Sequence, residues 1–310
     1  MREDQELVRC SLKRIDLQVF GLLASASLSC VLIFFFLPAD VQEILKARSD
    51  DWNLLCFWTS TFVHASFEHL LGNVLSFLAL GALVFVLNRA SRRERELFYT
   101  LMIIILVLPF VANILFVIVL QCLSVKRTVT FCGLSTAVAS LVGLIVPSLG
   151  VFLEEHLRSG RSNSSRLLLF FVLLTASLIS HQTFQYFGLN LYGLMLYFAF
   201  LAFGLIPFVY IVRRLASITR QGQNAKGRVI KALIAIGFYL AVYLVFILYL
   251  FPSEVITPRG DIINIFSHYT GLLLGIFAGY LGLRSAWRPE RLRVKIITGL
   301  QRIFSARPQV

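Results

Sequence analysis

Eight stretches of this chain carry no charged side chain: 17–37, 70–87, 97–123, 128–153, 167–187, 188–212, 232–253 and 262–283. Each is long enough, or nearly so, to cross about 30 Å of hydrocarbon as a helix, which takes roughly 20 residues. Hydrophobic residues make up 58% of the 310 and charged residues only 15%, too apolar and too poorly charged for a water-soluble globule or a disordered chain. The expected fold class is therefore an all-α polytopic membrane protein. Hydropathy alone would join 167–212 into one element. The polar His181-Gln182-Thr183 and the turn signal Gly188-Leu189-Asn190 split it into two helices. Pro109, Pro147 and Pro207 fall inside apolar runs, where membrane helices tolerate proline with local kinks.

The net charge of +13 becomes informative once the basic residues are sorted by loop. With a cytoplasmic N-terminus, the inside segments hold 4, 4, 3, 6 and 7 Lys+Arg, and the outside loops hold 2, 2, 0 and 1. That is 24 of the 29 basic residues on one side, the asymmetry expected of positively charged cytoplasmic loops. Eight spans return both termini to the cytoplasm. The excess charge reads as topology, and no cytoplasmic segment has room for a nucleic-acid-reading module. The first span follows a mixed-charge leader without a small-residue cleavage site, so it is expected to stay as an anchor. The five cysteines form no CxxC pair, so neither a disulfide framework nor a zinc site is expected. Residues 1–286 form the transmembrane domain. In the basic tail 287–310, Leu292–Phe304 alternates basic and apolar residues and suits a short helix on the inner leaflet or a solvated basic tail.

Polar groups at membrane depth need a partner or a job, and three places have them. His64-Ala-Ser-Phe-Glu-His69-Leu-Leu-Gly-Asn73 opens the second span, Gly133-Leu134-Ser135-Thr136 opens the fourth, and Ser267-His268-Tyr269-Thr270-Gly271 opens the last. His69 and Asn73 are four apart and share a helix face. In the expected topology these three spans all run inward, so Ser135, His268, His69 and Asn73 converge on one layer below the outer surface. Ser135, Ala139 and Gly143 form one small-residue stripe, and Gly271, Gly275 and Gly279 form another below His268. Such stripes let helices approach closely in lipid, which would hold Ser135 within reach of His268.

The pieces His64-xxxx-His69-xxx-Asn73, Gly133-Leu134-Ser135 and His268-xx-Gly271-xxx-Gly275 resemble the motifs of the rhomboid family of intramembrane serine proteases, in that family's order. Thr59 and Thr61-Phe62-Val63-His64 resemble the approach to its second core helix. The resemblance covers residues 17–153 and 262–283. It implies a rhomboid-like bundle with a six-helix core and two extra helices between the serine and histidine helices. It also implies Ser135 as nucleophile, His268 as general base, and His69 and Asn73 as oxyanion-hole donors. The reaction would be hydrolysis of a peptide bond in or near the transmembrane helix of a membrane-protein substrate. Neither cofactor nor metal is expected. In a prokaryote the protein would sit in the cell membrane, its active site open to the non-cytoplasmic side.

The chemistry suits these residues independently. A serine hydroxyl needs an adjacent base, an imidazole provides one near neutral pH, and a helix N-terminus favours a developing oxyanion. Several positions depart from the family. Thr136 replaces the usual glycine after the nucleophile. Ala139 stands where the family often has an aromatic ring stacked on the catalytic histidine, and Cys56 replaces the arginine of a Trp-Arg pair. These departures fit a second reading, a rhomboid-like pseudoprotease that binds transmembrane clients without cutting them. A transporter would want intramembrane carboxylates, and no span has an internal Asp or Glu. Glu68-His69 lacks the His-Glu-x-x-His spacing of a metalloprotease. Cys132 is read as a buried small residue, His156 as a solvated loop residue, and His181 as a packing histidine.

Overall fold

The computed structural model describes the backbone of residues 2–122, 128–157, 162–186, 190–219, 223–250 and 265–284. These form eleven helices and one two-stranded ladder. Seven helical segments are long and apolar enough to cross a membrane: Arg14–Phe36, Phe67–Ala90, Glu94–Cys122, Ser135–Leu157, Leu191–Thr219, Ala225–Leu250 and Phe266–Leu283. Helix α8 (Ser162–Tyr186) contributes a shorter apolar stretch, Arg166–Leu178. The protein is an all-α, multi-pass integral membrane bundle.

Helix α7 (Ser135–Leu157) is the centre. It is buried almost along its whole length, as a helix surrounded on all sides must be. Around it pack α4 (Phe67–Ala90), α8, α10 (Gln223–Leu250) and α11 (Ile265–Arg284). Helix α1 (Arg2–Phe36) lies against α4 and α5 (Glu94–Leu106), and α9 (Asn190–Thr219) lies mainly against α8. Buried polar groups tie the helices where lipid offers no alternative partner. Asn88 Nδ2 donates to Ser148 Oγ at 2.8 Å between α4 and α7, and Tyr239 Oη donates to the Leu83 carbonyl at 2.9 Å between α10 and α4. Ser177 Oγ donates to the Tyr197 carbonyl at 2.8 Å, and Thr175 and Tyr243 share a hydroxyl–hydroxyl bond.

The structure corrects the expected reading in two places and bears out a third. The stretch 97–123 is one span, Glu94–Cys122, with the expected kink: α5 and α6 (Leu108–Cys122) meet at Val107. Pro109 has no N–H to give to the carbonyl four residues back, so the helix is interrupted there. The stretch 128–153 starts as strand: Thr130–Phe131 (β2) pairs antiparallel with Ala47–Arg48 (β1), and the helix begins only at Ser135. His156 lies in the last turn of α7, stacked on Phe152 with ring centroids 4.0 Å apart, and is not a loop residue. The turn around Gly188, the side chain of His181 and the tail 287–310 lie outside the described residues.

Before α4, the chain folds into structure that no hydropathy pattern announced. Helices α2 (Ala39–Leu45) and α3 (Leu54–Thr59), a 3-10 turn at Ser60–Phe62 and the β1–β2 ladder cover one end of the bundle. Asn53 caps α3 by accepting from the amides of Leu55 and Cys56. Phe57, Phe116, Val117, Val129 and Phe131 make a small apolar cluster of their own there with Ala47. Asn113 on α6, itself buried, donates to the Phe57 carbonyl at 2.7 Å and to Ser60 Oγ at 3.2 Å. This segment is therefore anchored to the bundle by packing and by hydrogen bonds.

Candidate functional site

The N-terminal ends of α4, α7 and α11 meet at the end covered by this segment. Ser66 caps α4 by accepting from the His69 amide at 3.2 Å, with Ser66 in an extended conformation, the usual geometry of a serine cap. That starts the helix at Phe67 and sets His69 and Asn73 on its first two turns.

Gly133 makes the connection to α7. Its amide donates to the Ser60 carbonyl at 2.8 Å and its φ is +113°, a conformation that only glycine adopts cheaply. Space demands glycine as well. A Cβ at position 133 would lie 2.7 Å from His69 Cε1, 2.9 Å from His69 Nε2 and 3.3 Å from Asn73 Nδ2. The two side chains expected to donate to an oxyanion thus press against the turn that leads into Ser135. Asn73 is 3% exposed, and its Nδ2 has no hydrogen-bond partner among the described residues. A buried donor without an acceptor is costly. Here it faces the turn beside a serine.

Ser135 is the first residue of α7, since the Leu134 carbonyl already accepts from the Val138 amide at 3.0 Å. The first amides of a helix have no intrahelical acceptor and carry its positive dipole end. Ser135 is partly exposed, whereas Leu134 and Thr136 on either side are buried. Cys132 is also only partly buried, which corrects its reading as a buried residue.

The two small-residue stripes meet. A Cβ at Gly271 would lie 2.5 Å from the Thr136 carbonyl oxygen, 3.2 Å from Thr136 Cγ2 and 3.2 Å from Ala139 Cβ. Four residues on, a Cβ at Gly275 would touch the backbone of Ser140, and Gly279 faces Leu144 and Pro147. From the other side, a Cβ at Gly143 would lie 2.2 Å from the Leu272 carbonyl oxygen. The helices therefore run parallel at backbone contact, in a register that pairs Gly271 with Thr136. His268 lies one turn before Gly271 and Ser135 one residue before Thr136, so both are carried to the same end of one tight helix pair. This packing also explains the two departures on α7. The branched side chain of Thr136 fits because it faces a glycine, and Ala139 is small because α11 leaves no room for a ring.

His268 is 8% exposed, and its Nδ1 is 2.6 Å from the carbonyl oxygen of Leu250, the last residue of α10. A carbonyl only accepts, so Nδ1 is the nitrogen that donates, and in the neutral ring this leaves the lone pair on Nε2.

His64 is a further participant whose role was not expected. It precedes the membrane-spanning α4, is 2% exposed, and stacks edge-on against His69 with centroids 5.2 Å apart. Its Nε2 accepts from the Leu134 amide at 3.4 Å, holding the residue before Ser135. Burial, with the neighbouring His69 as a smaller cause, pushes its pKa down from 6.5 to about 3, so it stays neutral and keeps this lone pair for the amide. The His64-to-Asn73 spacing was visible in the sequence, but the backbone partner was not.

The segment before α4 holds the same turn from its other side. The Ser49 amide donates to the Val129 carbonyl at 3.0 Å, the Val129 amide to Ser49 Oγ at 2.9 Å, and Thr128 Oγ1 to Asp50 at 3.0 Å. With the Gly133–Ser60 bond, these fix the chain leading into α7 at several successive points. Such support keeps the Ser135 side chain in one geometry. No family profile, characterised protein or solved structure matches this chain.

Proposed function

We propose that this protein is an intramembrane serine endopeptidase of rhomboid type, cutting peptide bonds in or near the transmembrane helices of membrane-protein substrates. Ser135 attacks the carbonyl carbon while His268 Nε2 takes its proton. The oxyanion is held by Asn73, His69 and the amide of Ser135. His268 then gives the proton to the leaving amine, and water hydrolyses the acyl-enzyme through the same base. The observation that carries this reading is the unpartnered, buried Asn73 Nδ2 against Gly133. A donor held ready for a charge that appears only during reaction is the main electrostatic device of acyl transfer. The register that brings Ser135 and His268 to one end supports it.

In this reading the chain has eight spans with both termini in the cytoplasm, following the 24-to-5 distribution of basic residues. The site then opens near the non-cytoplasmic face, where water for deacylation can reach it. Helices α8 and α9 are the two extra spans, inserted as a pair that preserves the direction of α11. The pseudoprotease alternative draws on Thr136 and Ala139. Both fit against Gly271 without obstructing the turn at Ser135, which favours the protease.

Labelling with a fluorophosphonate tests the nucleophile. Reconstituted protein should be modified at Ser135, and His268→Ala should lose the modification. Folded wild type that stays unlabelled across several probes would leave the client-binding alternative.

A further inference from the structure

We infer that the backbone carbonyl of Leu250, the last described residue of α10, is the positioning group that holds His268 in its base tautomer. This inference rests on the Ser135–His268 reading and adds a third member to it. A two-residue dyad has no acid to orient the imidazole, and the stacking aromatic ring that could do so is replaced by Ala139. The position has little room for one, because Ala139 is fully buried on the face of α7 that Gly271 approaches. Orientation must come from elsewhere, and the Leu250 carbonyl lies 2.6 Å from Nδ1.

Two features suit this carbonyl to the task. A backbone carbonyl oxygen only accepts and carries a fixed partial negative charge. Leu250 is the last described residue of α10. When Nε2 takes the Ser135 proton, the positive charge that spreads over the ring is met by the partial charge of this oxygen. The Nδ1 proton stays on Nδ1, and its bond to the carbonyl strengthens. The end of α10 is also fixed in place. The Leu250 side chain is 2% exposed, and the Tyr249 hydroxyl lies 2.6 Å from where a Cβ on Gly72 would sit, next to Asn73 on α4. Helix α10 thus contacts the oxyanion helix with one residue and the histidine helix with the next.

The test replaces the single peptide bond after Leu250 with an ester in the full-length protein, which weakens that carbonyl as an acceptor. A matched ester elsewhere in α10 is the control for folding. Side-chain 15N NMR of histidine-labelled protein reads the tautomer directly, and cleavage of a single-span reporter reads the rate. Wild type and Ser135→Ala should both hold His268 with the proton on Nδ1, because the carbonyl rather than the serine sets it. The ester variant should show mixed tautomers and a kcat about tenfold lower with KM unchanged, and the control ester should show neither. A proton on Nε2 in wild type, or an ester variant with wild-type tautomer and rate, overturns the inference. If no reporter is cut while the tautomer behaves as stated, the protease reading fails and the positioning by Leu250 stands.

Discussion

Gly275 and Ser140 touch backbone to backbone: a Cβ at Gly275 would lie 2.1 Å from the Ser140 carbonyl oxygen and 2.6 Å from its Cα. Neither helix can yield locally, because Ser140 is fully buried in the central α7 and its hydroxyl donates to the Thr136 carbonyl at 2.8 Å. Gly275→Ala should therefore force α11 away from α7. We expect a loss of about 3 kcal/mol or more, measured by denaturant titration in detergent micelles, together with loss of reporter cleavage. A variant of unchanged stability would contradict the close approach.

Gly133→Ala combines two penalties. The residue keeps a φ of +113°, which costs a non-glycine residue roughly 1–3 kcal/mol, and its methyl would displace the His69 ring. The turn, His69 and Asn73 should shift together, and in the proposed reaction kcat should fall by about 10²-fold while the protein still folds. Kinetics on folded variant protein check this. Near-normal kcat would mean that His69 and Asn73 do not act at this turn.

His64 makes stability depend on pH. In the folded protein it binds a proton only near pH 3, whereas its ordinary value is 6.5. Between these values the unfolded chain binds more protons, so stability falls as pH drops from 6.5 towards 3, by up to about 1.4 kcal/mol per pH unit from this one group. His64→Phe should flatten that part of the profile. It should also cost about 1–3 kcal/mol at pH 7.5 by leaving the Leu134 amide unpaired. Unfolding measured from pH 7.5 to 4.5 decides it; equal slopes in both proteins would remove His64 from the account.

Ala139→Phe tests whether an aromatic ring can be accommodated on α7 where it faces Gly271. The site is closed by Gly271 and fully buried, so overpacking should cost about 1–3 kcal/mol and activity should fall. A stable variant with higher activity would show that the α7–α11 gap opens more readily than the packing implies.

The helices were legible because each span must hide its own backbone from lipid, and that demand is written locally in apolar length. The glycine stripes at 271, 275 and 279 were legible for a similar reason, since close approach limits side-chain size wherever it occurs. What escaped was non-local or carried by the backbone. Ala47 pairs with Phe131 across more than eighty residues, and two-residue strands leave no pattern. The first residues of 128–153 looked like helix because hydropathy does not distinguish a buried strand from a span. His64 stood in a recognised spacing, yet its partner is the Leu134 amide. The Leu250 carbonyl has no signature at all, since every residue has one.

Cleavage of a single-span reporter by the purified, reconstituted protein tests the central claim most directly, with wild type, Ser135→Ala and His268→Ala compared at equal folded concentration. The account predicts a discrete cut by wild type and no detectable cut by either variant. Equal cleavage by Ser135→Ala would contradict it.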